Sequence, residues 1–348
     1  MEFEIGNRVV GGAEPTFIIA ELSANHLRDY DLAVKTIKAM KNSGADALKL
    51  QTYTGDTLTL DSENECFKIN HGTLWDGMKL YDLYNEGYMP WEWQPELKNI
   101  AEDLGLLVFS SVGDKTSVDF MESLDIPAYK IPSFEITDIP LIEYVASKGK
   151  PVILSTGISR LCDVEEAVRA CRKMGNNQIA ILKCTSAYPT PLDSVNLRTI
   201  PNLAETFNIV SGLSDHTMEL AVPVAAVALG AKIVEKHFIL DRNLGGSDAA
   251  FSMEPAEFET MVKSVRRTEK ALGNVEYDLT EATVKMRDFT RSLFVVKDIK
   301  MGEAFTTENI KSIRPGLGMH PKFLNDLLHR KARNDIKRGT PMSWDLVD

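Results

Sequence analysis

His216 follows the short apolar run Ile209–Asp215, and His237 lies at the end of a second run, Ile233–Phe238. Two imidazoles side by side, with the carboxylates of Glu21 and Glu235 near them, can hold a divalent cation. Such a pair leaves several coordination positions open for water and substrate oxygens, whereas a structural zinc closes a shell of four ligands. A histidine pair working as acid and base without metal is the other reading. Two lysines, Lys49 and Lys130, also sit inside apolar runs. In Ala47–Thr52, Leu48 and Leu50 fall on one face, so Lys49 and Gln51 share the opposite one. A buried ammonium needs an anion beside it. Two lysines among hydroxyls make a cradle for phosphate or carboxylate. On this reading either lysine can be replaced without harm to folding, since its burial cost leaves with it.

The elements that must position these groups are short strands alternating with amphipathic helices. Strands are expected at Phe17–Leu22, Ala47–Thr52, Leu107–Val112, Ala128–Ser133, Pro151–Thr156, Ile179–Thr185, Ile209–Asp215 and Ile233–Phe238. Helices are expected between them, among them Asp31–Ser43 before Gly44, Asp163–Met174 with Asp163 and Glu166 at capping-box spacing, and Pro255–Leu272 before Gly273. Eight such units predict an α/β fold of the (β/α)₈ barrel type. An open doubly wound sheet is disfavoured, because no Gly-rich phosphate loop follows the first strand. In a barrel, alternate residues point inward and the C-terminal strand ends line the site. That parity brings Glu21, Lys49, Gln51, Ser111, Lys130, Ser155, Ser186, Ser214, His216, Glu235 and His237 to one rim. Residues 1–16 form a hairpin around Gly6-Asn7 over the barrel floor, and residues 53–92 are a long insertion that shapes the pocket.

After a polar connector, 274–288, residues 289–348 read as a small loop-rich β domain with internal pseudo-symmetry. Asp298-Ile299-Lys300-Met301-Gly302 is echoed by Asp335-Ile336-Lys337-Arg338-Gly339. The catalytic domain is then 1–273. A formal charge of −11 with no basic run excludes a nucleic-acid partner. The longest apolar stretch, Ala221–Ala231, is too short to span a bilayer, and the acidic N-terminus does not resemble a signal peptide. Cys66, Cys162, Cys171 and Cys184 show no CxxC spacing and are read as reduced thiols of a cytoplasmic protein.

The residues quoted above sit inside stretches that resemble the sialic acid synthase family. The matching stretches are Ile19-Ala20-Glu21 with Asn25-His26, Lys49–Thr52, Tyr129–Glu135, Leu154–Gly157, Cys184–Pro189, Gly212–Thr217 and Glu235–Phe238. The last segment resembles that family's antifreeze-like (SAF) domain, a β-clip, with Arg314-Pro315-Gly316 as its marker. The resemblance covers essentially the whole chain and departs from the family pattern at Val112-Gly113 and Met218-Glu219. It implies condensation of phosphoenolpyruvate with an open-chain acylated amino sugar, with C–O cleavage and release of phosphate. Phosphoenolpyruvate would be held by Lys49, Lys130, Ser111, Ser133, Ser155, Ser186 and Ser214. Mn²⁺ or Mg²⁺ would be bound by His216 and His237. Glu21 and His237 would be catalytic, while Gln51, Glu135, Tyr188, Glu235 and Asp248 would hold substrate. Arg314 would reach the sugar's N-acyl group from the partner subunit of a domain-swapped homodimer. Gly72–Gly77, Pro90–Trp93 and Ser186 are most similar to the pseudaminic acid synthases. The substrate would then be a 2,4-diacetamido-2,4,6-trideoxyaltrose whose methyl group meets Trp75 or Trp91. Neuraminate and legionaminate synthases are the alternatives within the family. A Schiff-base aldolase and a non-catalytic ice- or carbohydrate-binding protein are the rivals outside it.

Overall fold

The computed structural model describes residues 1–348 and divides into two compact units, Met1–Gly273 and Asn274–Asp348. The first opens with an antiparallel hairpin, β1 (Glu2–Ile5) and β2 (Arg8–Gly11), whose turn places Gly6 at φ 60°. Eight strands follow: β3 (Phe17–Glu21), β4 (Ala47–Thr52), β5 (Leu107–Val112), β6 (Tyr129–Ile131), β7 (Val152–Ser155), β8 (Ile179–Lys183), β9 (Val210–Asp215) and β10 (Ile233–His237). They pair in parallel in chain order, and β10 pairs back to β3, so the sheet is a closed barrel with helices outside it.

Strand parity decides which residues meet. Phe17, Ile19, Ala47, Phe109 and Ile153 fill the barrel interior, and Ile5 and Val10 of the hairpin join the same core, covering the floor. The alternate residues Ile18, Leu48 and Leu50 face outward. They pack on Ala33, Ile37 and Met40 of helix Tyr30–Asn42 and on Phe258 and Met261 of helix Pro255–Leu272. Each large apolar side chain so removed from water contributes about 1.5–3 kcal/mol. The apolar lower layers leave polar side chains only the upper rim.

One local expectation needs correction. The helix expected at Asp163–Met174 runs Leu161–Lys173, and its capping acid is at N3: Asp163 accepts a hydrogen bond from the Arg160 backbone N–H at 2.8 Å. Arginine is not a capping residue by type, which hid the true start. The insertion after β4 has structure of its own. It carries helices Gly55–Leu58 and Leu80–Gly87 and a bridge between Lys68 and Lys79.

In the second unit, β11 (Ser292–Val295) pairs antiparallel with β12 (Ile310–Ile313) around a core that includes Leu293, Phe305 and Ile336. The sequence echo is visible as a reciprocal clasp. Asp298 accepts from the Arg338 N–H at 2.8 Å and pairs with Lys337 at 3.0 Å; Asp335 accepts from the Met301 N–H at 2.9 Å and pairs with Lys300 at 2.8 Å. Ile299 and Ile336 bridge between them. The connector contains a short helix, Glu281–Met286.

Candidate active site

Register puts the polar strand ends at matching heights. Glu21 is level with Lys49 on one side and His237 on the other, Gln51 with Ser111, Ser111 with Lys130, and Ser214 with Glu235. All face the axis. They line a cavity of about 430 Å³ at the C-terminal mouth of the barrel, large enough for two small substrates. Ser133, Glu135, Ser155, Tyr188, His216 and Asp248 line it too. Ser186 stands just behind the wall, where its hydroxyl converges with that of Ser133 on Gly157; a Cβ at Gly157 would collide with both. Arg314 belongs to the second unit and is exposed in the loop after β12.

The lysines are neutralised by the barrel itself. Lys49 lies 2.9 Å from Glu21 and 2.9 Å from Glu235, and Lys130 lies 3.2 Å from Glu235. Ser214 donates to Glu235 at 2.8 Å and Gln51 donates to Glu21 at 2.7 Å. Burial works against every charge here. At Lys49 the two carboxylates outweigh it and hold the ammonium well above its usual pKa. That is the reverse of what a Schiff-base lysine requires. At Lys130 burial prevails and lowers the pKa. Burial would raise Glu21, but His237, Lys49 and Lys130 together drive it far below the ordinary carboxylate range. Glu135 goes the other way: burial, only partly opposed by Lys130, raises it to about 7.

The imidazoles of His216 and His237 lie 5.2 Å apart, centroid to centroid, with Phe251 edge-on to both. His237 Nε2 is 3.1 Å from Glu21, and its Nδ1 is 3.6 Å from Asp248, too far for a hydrogen bond. Burial lowers the His237 pKa, while at His216 the neighbouring Cys184 thiol and the Glu21 and Asp215 carboxylates outweigh burial and raise it. Four buried polar atoms at this rim have no partner: Ser155 Oγ, Ser186 Oγ, Glu235 Oε2 and His237 Nδ1. Orphaned groups of this kind cost free energy unless a ligand meets them. No three donors of histidine, cysteine or carboxylate type come together in a closed metal shell. The imidazole pair with its unpartnered Nδ1 could take an ion only with most of its positions left to water and substrate.

Parity reasoning overlooked one residue. Cys184 points inward in the same sense as Ser186, and its Sγ is 3.9 Å from His216 Nδ1. Burial raises its pKa, but His216, the Ser133 hydroxyl and Lys130 bring it down to about 7. The insertion also contributes more than expected. It lends the cavity the apolar side chains of Leu58, Ile69, Leu80, Leu83 and Trp75, interleaved with Lys68, His71, Thr73 and Tyr84. Asp76 presents Trp75 by accepting from the Gly72 and Thr73 N–H groups, each at 2.8 Å. The Trp75 ring lies 5.7 Å from Tyr188, which lies 4.7 Å from His216. Trp91, the other indole considered for the pocket, is not in its wall. It stacks on Phe120 at 4.9 Å and donates to the Tyr53 carbonyl at 3.2 Å.

Comparison with known proteins agrees with this architecture. Residues 36–277 match the NeuB family and residues 290–348 match the SAF domain. A pseudaminic acid synthase of Campylobacter jejuni is 48% identical over 93% of this chain and 94% of its own length. That of Helicobacter pylori is 46% identical over 96% and 98%. The crystal structure of the Bacillus subtilis spore coat polysaccharide biosynthesis protein SpsE superposes with a TM-score of 0.68 at 36% identity, covering 100% of this chain and 99% of that one. The chain belongs to the NeuB family, with a C-terminal SAF domain, and is a phosphoenolpyruvate-dependent nonulosonic acid synthase.

Proposed function

We propose that the protein is a pseudaminic acid synthase, joining phosphoenolpyruvate to 2,4-diacetamido-2,4,6-trideoxy-L-altrose and water to give pseudaminic acid and phosphate. One observation carries this reading. A lysine–serine cradle and an imidazole pair share a cavity to which the insertion adds the apolar side chains of Leu58, Ile69, Leu80, Leu83 and Trp75 beside Lys68, His71 and Thr73. A deoxy sugar with a 6-methyl group suits those apolar side chains. The pocket does not separate the altrose from the manno configuration; the identity of 46–48% to two pseudaminic acid synthases favours the altrose sugar.

In this reading Lys49, Lys130 and the hydroxyls of Ser111, Ser133, Ser155 and Ser214 bind the phosphate and carboxylate of phosphoenolpyruvate, with Ser186 behind Ser133. A divalent ion, Mn²⁺ or Mg²⁺, held by His216 and His237 supplies polarisation of the sugar aldehyde. Gln51, Glu135, Tyr188 and Asp248 orient the open-chain sugar, and Glu235 sets the charge of the cradle through both lysines. The enol carbon attacks the aldehyde carbon, and water adds to the carbon that bore the phosphate. Glu21 assists transfer of the proton that water gives up to the oxygen of the former aldehyde. Phosphate then leaves with its bridging oxygen.

Phosphate release across three sugars tests the substrate. The altrose sugar should exceed N-acetylmannosamine and 2,4-diacetamido-2,4,6-trideoxymannose in kcat/KM by at least about tenfold, the discrimination that a misplaced group in a shaped pocket provides. Faster turnover of N-acetylmannosamine would overturn the assignment.

A further inference from the structure

Between β9, β10 and the helices outside them lies a fully buried ion pair that the chemistry above does not use. Lys236 Nζ is 2.7 Å from Asp215 Oδ2, and both residues are buried. They are register partners on adjacent strands and face away from the cavity, on the parity opposite to Ser214 and Glu235. The pair is part of a closed ring. Asp215 accepts from the Thr217 N–H at 2.9 Å and from its hydroxyl at 3.1 Å, and Lys236 donates to the Thr217 carbonyl. The ring therefore grips the backbone on both sides of His216, and its lysine immediately precedes His237 in the chain.

A lysine in an apolar layer needs a reason. Replacing a buried ion pair by well-packed apolar side chains is often neutral or stabilising, so stability does not account for this one. What the pair offers is geometry. It fixes the spacing of two strand ends and the turn after one of them, through short charged hydrogen bonds that tolerate little displacement. Groups behind a ligand set commonly act this way, orienting side chains that do the binding.

We propose that Asp215 and Lys236 are positioning residues: a buried clasp, closed through Thr217, that sets the relative placement of the His216 and His237 imidazoles without touching substrate. The proposal rests on the reading that the two imidazoles act as one site. It extends that reading to the opposite face of the barrel wall.

The test is the double variant Asp215→Leu/Lys236→Met, which removes both charges and leaves no buried ion alone. Three measurements decide it. Ring-nitrogen NMR of the metal-free protein should show both histidines displaced from their wild-type resonances. Mn²⁺ affinity, from the electron paramagnetic resonance signal of free Mn²⁺, should fall by about tenfold or more, the usual consequence of losing an outer partner. The KM for phosphoenolpyruvate should rise by clearly less than Mn²⁺ affinity falls, since Lys49 and Lys130 stand on other strands while only Ser214 and Glu235 adjoin the clasp; a purely structural lesion would affect both alike. Unchanged ring resonances with unchanged Mn²⁺ affinity would overturn the proposal. So would a loss of phosphoenolpyruvate binding as large as the loss of Mn²⁺ binding. If wild-type protein binds no Mn²⁺, the metal reading fails, and the ring resonances still decide whether the clasp positions the histidines. If the double variant does not fold, Thr217→Val takes its place. It keeps the ion pair and deletes one bond of the ring, and should shift the resonances of His216 in the same direction; no shift would sink the idea.

Discussion

His237→Ala should lower kcat by at least about a hundredfold, the loss expected when a carbonyl is no longer polarised. The structure explains why this residue matters more than its neighbours. Its ring touches Glu21 through Nε2 at 3.1 Å, lies beside His216, and keeps Nδ1 buried without a partner. The KM for phosphoenolpyruvate should change little, because Lys49 and Lys130 bind elsewhere in the cavity. Steady-state kinetics with and without chelator decide the matter. Near-normal turnover of the variant, or a wild-type enzyme indifferent to chelator, contradicts the metal assignment.

Lys49→Met and Lys130→Met should part company, although the sequence alone makes them equivalent. Lys49 is the counter-charge of two buried carboxylates, Glu21 and Glu235, each at 2.9 Å. Removing it leaves both exposed to a poorly solvating interior, at a cost of about 3–5 kcal/mol. Lys130 contacts Glu235 alone at 3.2 Å, and Lys49 remains to neutralise that carboxylate. Lys130→Met should therefore lose less Tm than Lys49→Met, while raising the KM for phosphoenolpyruvate by at least about tenfold, as loss of a charge-assisted contact does. The pH dependence has a definite sign. In the native protein the pKa of Glu21 is depressed, so its contribution to stability is present above its unfolded value near pH 4 and is lost in acid. Without Lys49 the same carboxylates are buried with less compensation and gain from protonation. The stability deficit of Lys49→Met should narrow as pH falls from 8 to 5. Calorimetry across that range checks it: equal Tm losses in the two variants, or a deficit that widens in acid, would rule out this account of the pairing.

Much of the barrel was legible because its signal is repeated. Side chains alternate along a strand, so Leu48 and Leu50 outward forces Lys49 and Gln51 inward, and eight such segments repeat the inference. Parity gives a face, however, and says nothing of partners across the barrel. That Glu235 would sit between two lysines, and that Lys49 would bridge two glutamates, depends on the height at which neighbouring strands end. The same gap explains why the lysines looked replaceable. Cys184 carried the right parity and was passed over because a thiol in an apolar run reads as packing. Asp215 and Lys236 were visible inside the motifs around the histidines, but their parity points away from the site, so nothing in the strand argument gave them a role. The insertion was the least legible part. It lacks a sustained period, so its two helices and the choice of Trp75 over Trp91 come from packing against Tyr188 and Phe120 respectively. The boundary at Leu161 failed for a chemical reason: an arginine occupies the capping position.

The central claim is a condensation in which phosphoenolpyruvate breaks at its C–O bond. The direct measurement follows the bridging oxygen. Phosphoenolpyruvate labelled with ¹⁸O at that position would be turned over with the altrose sugar, and both products examined by mass spectrometry. The account predicts that the label leaves with phosphate and that the new oxygen at C2 of the sugar acid comes from water. Label retained in the sugar acid, with phosphate unlabelled, would mean P–O cleavage and would contradict the account.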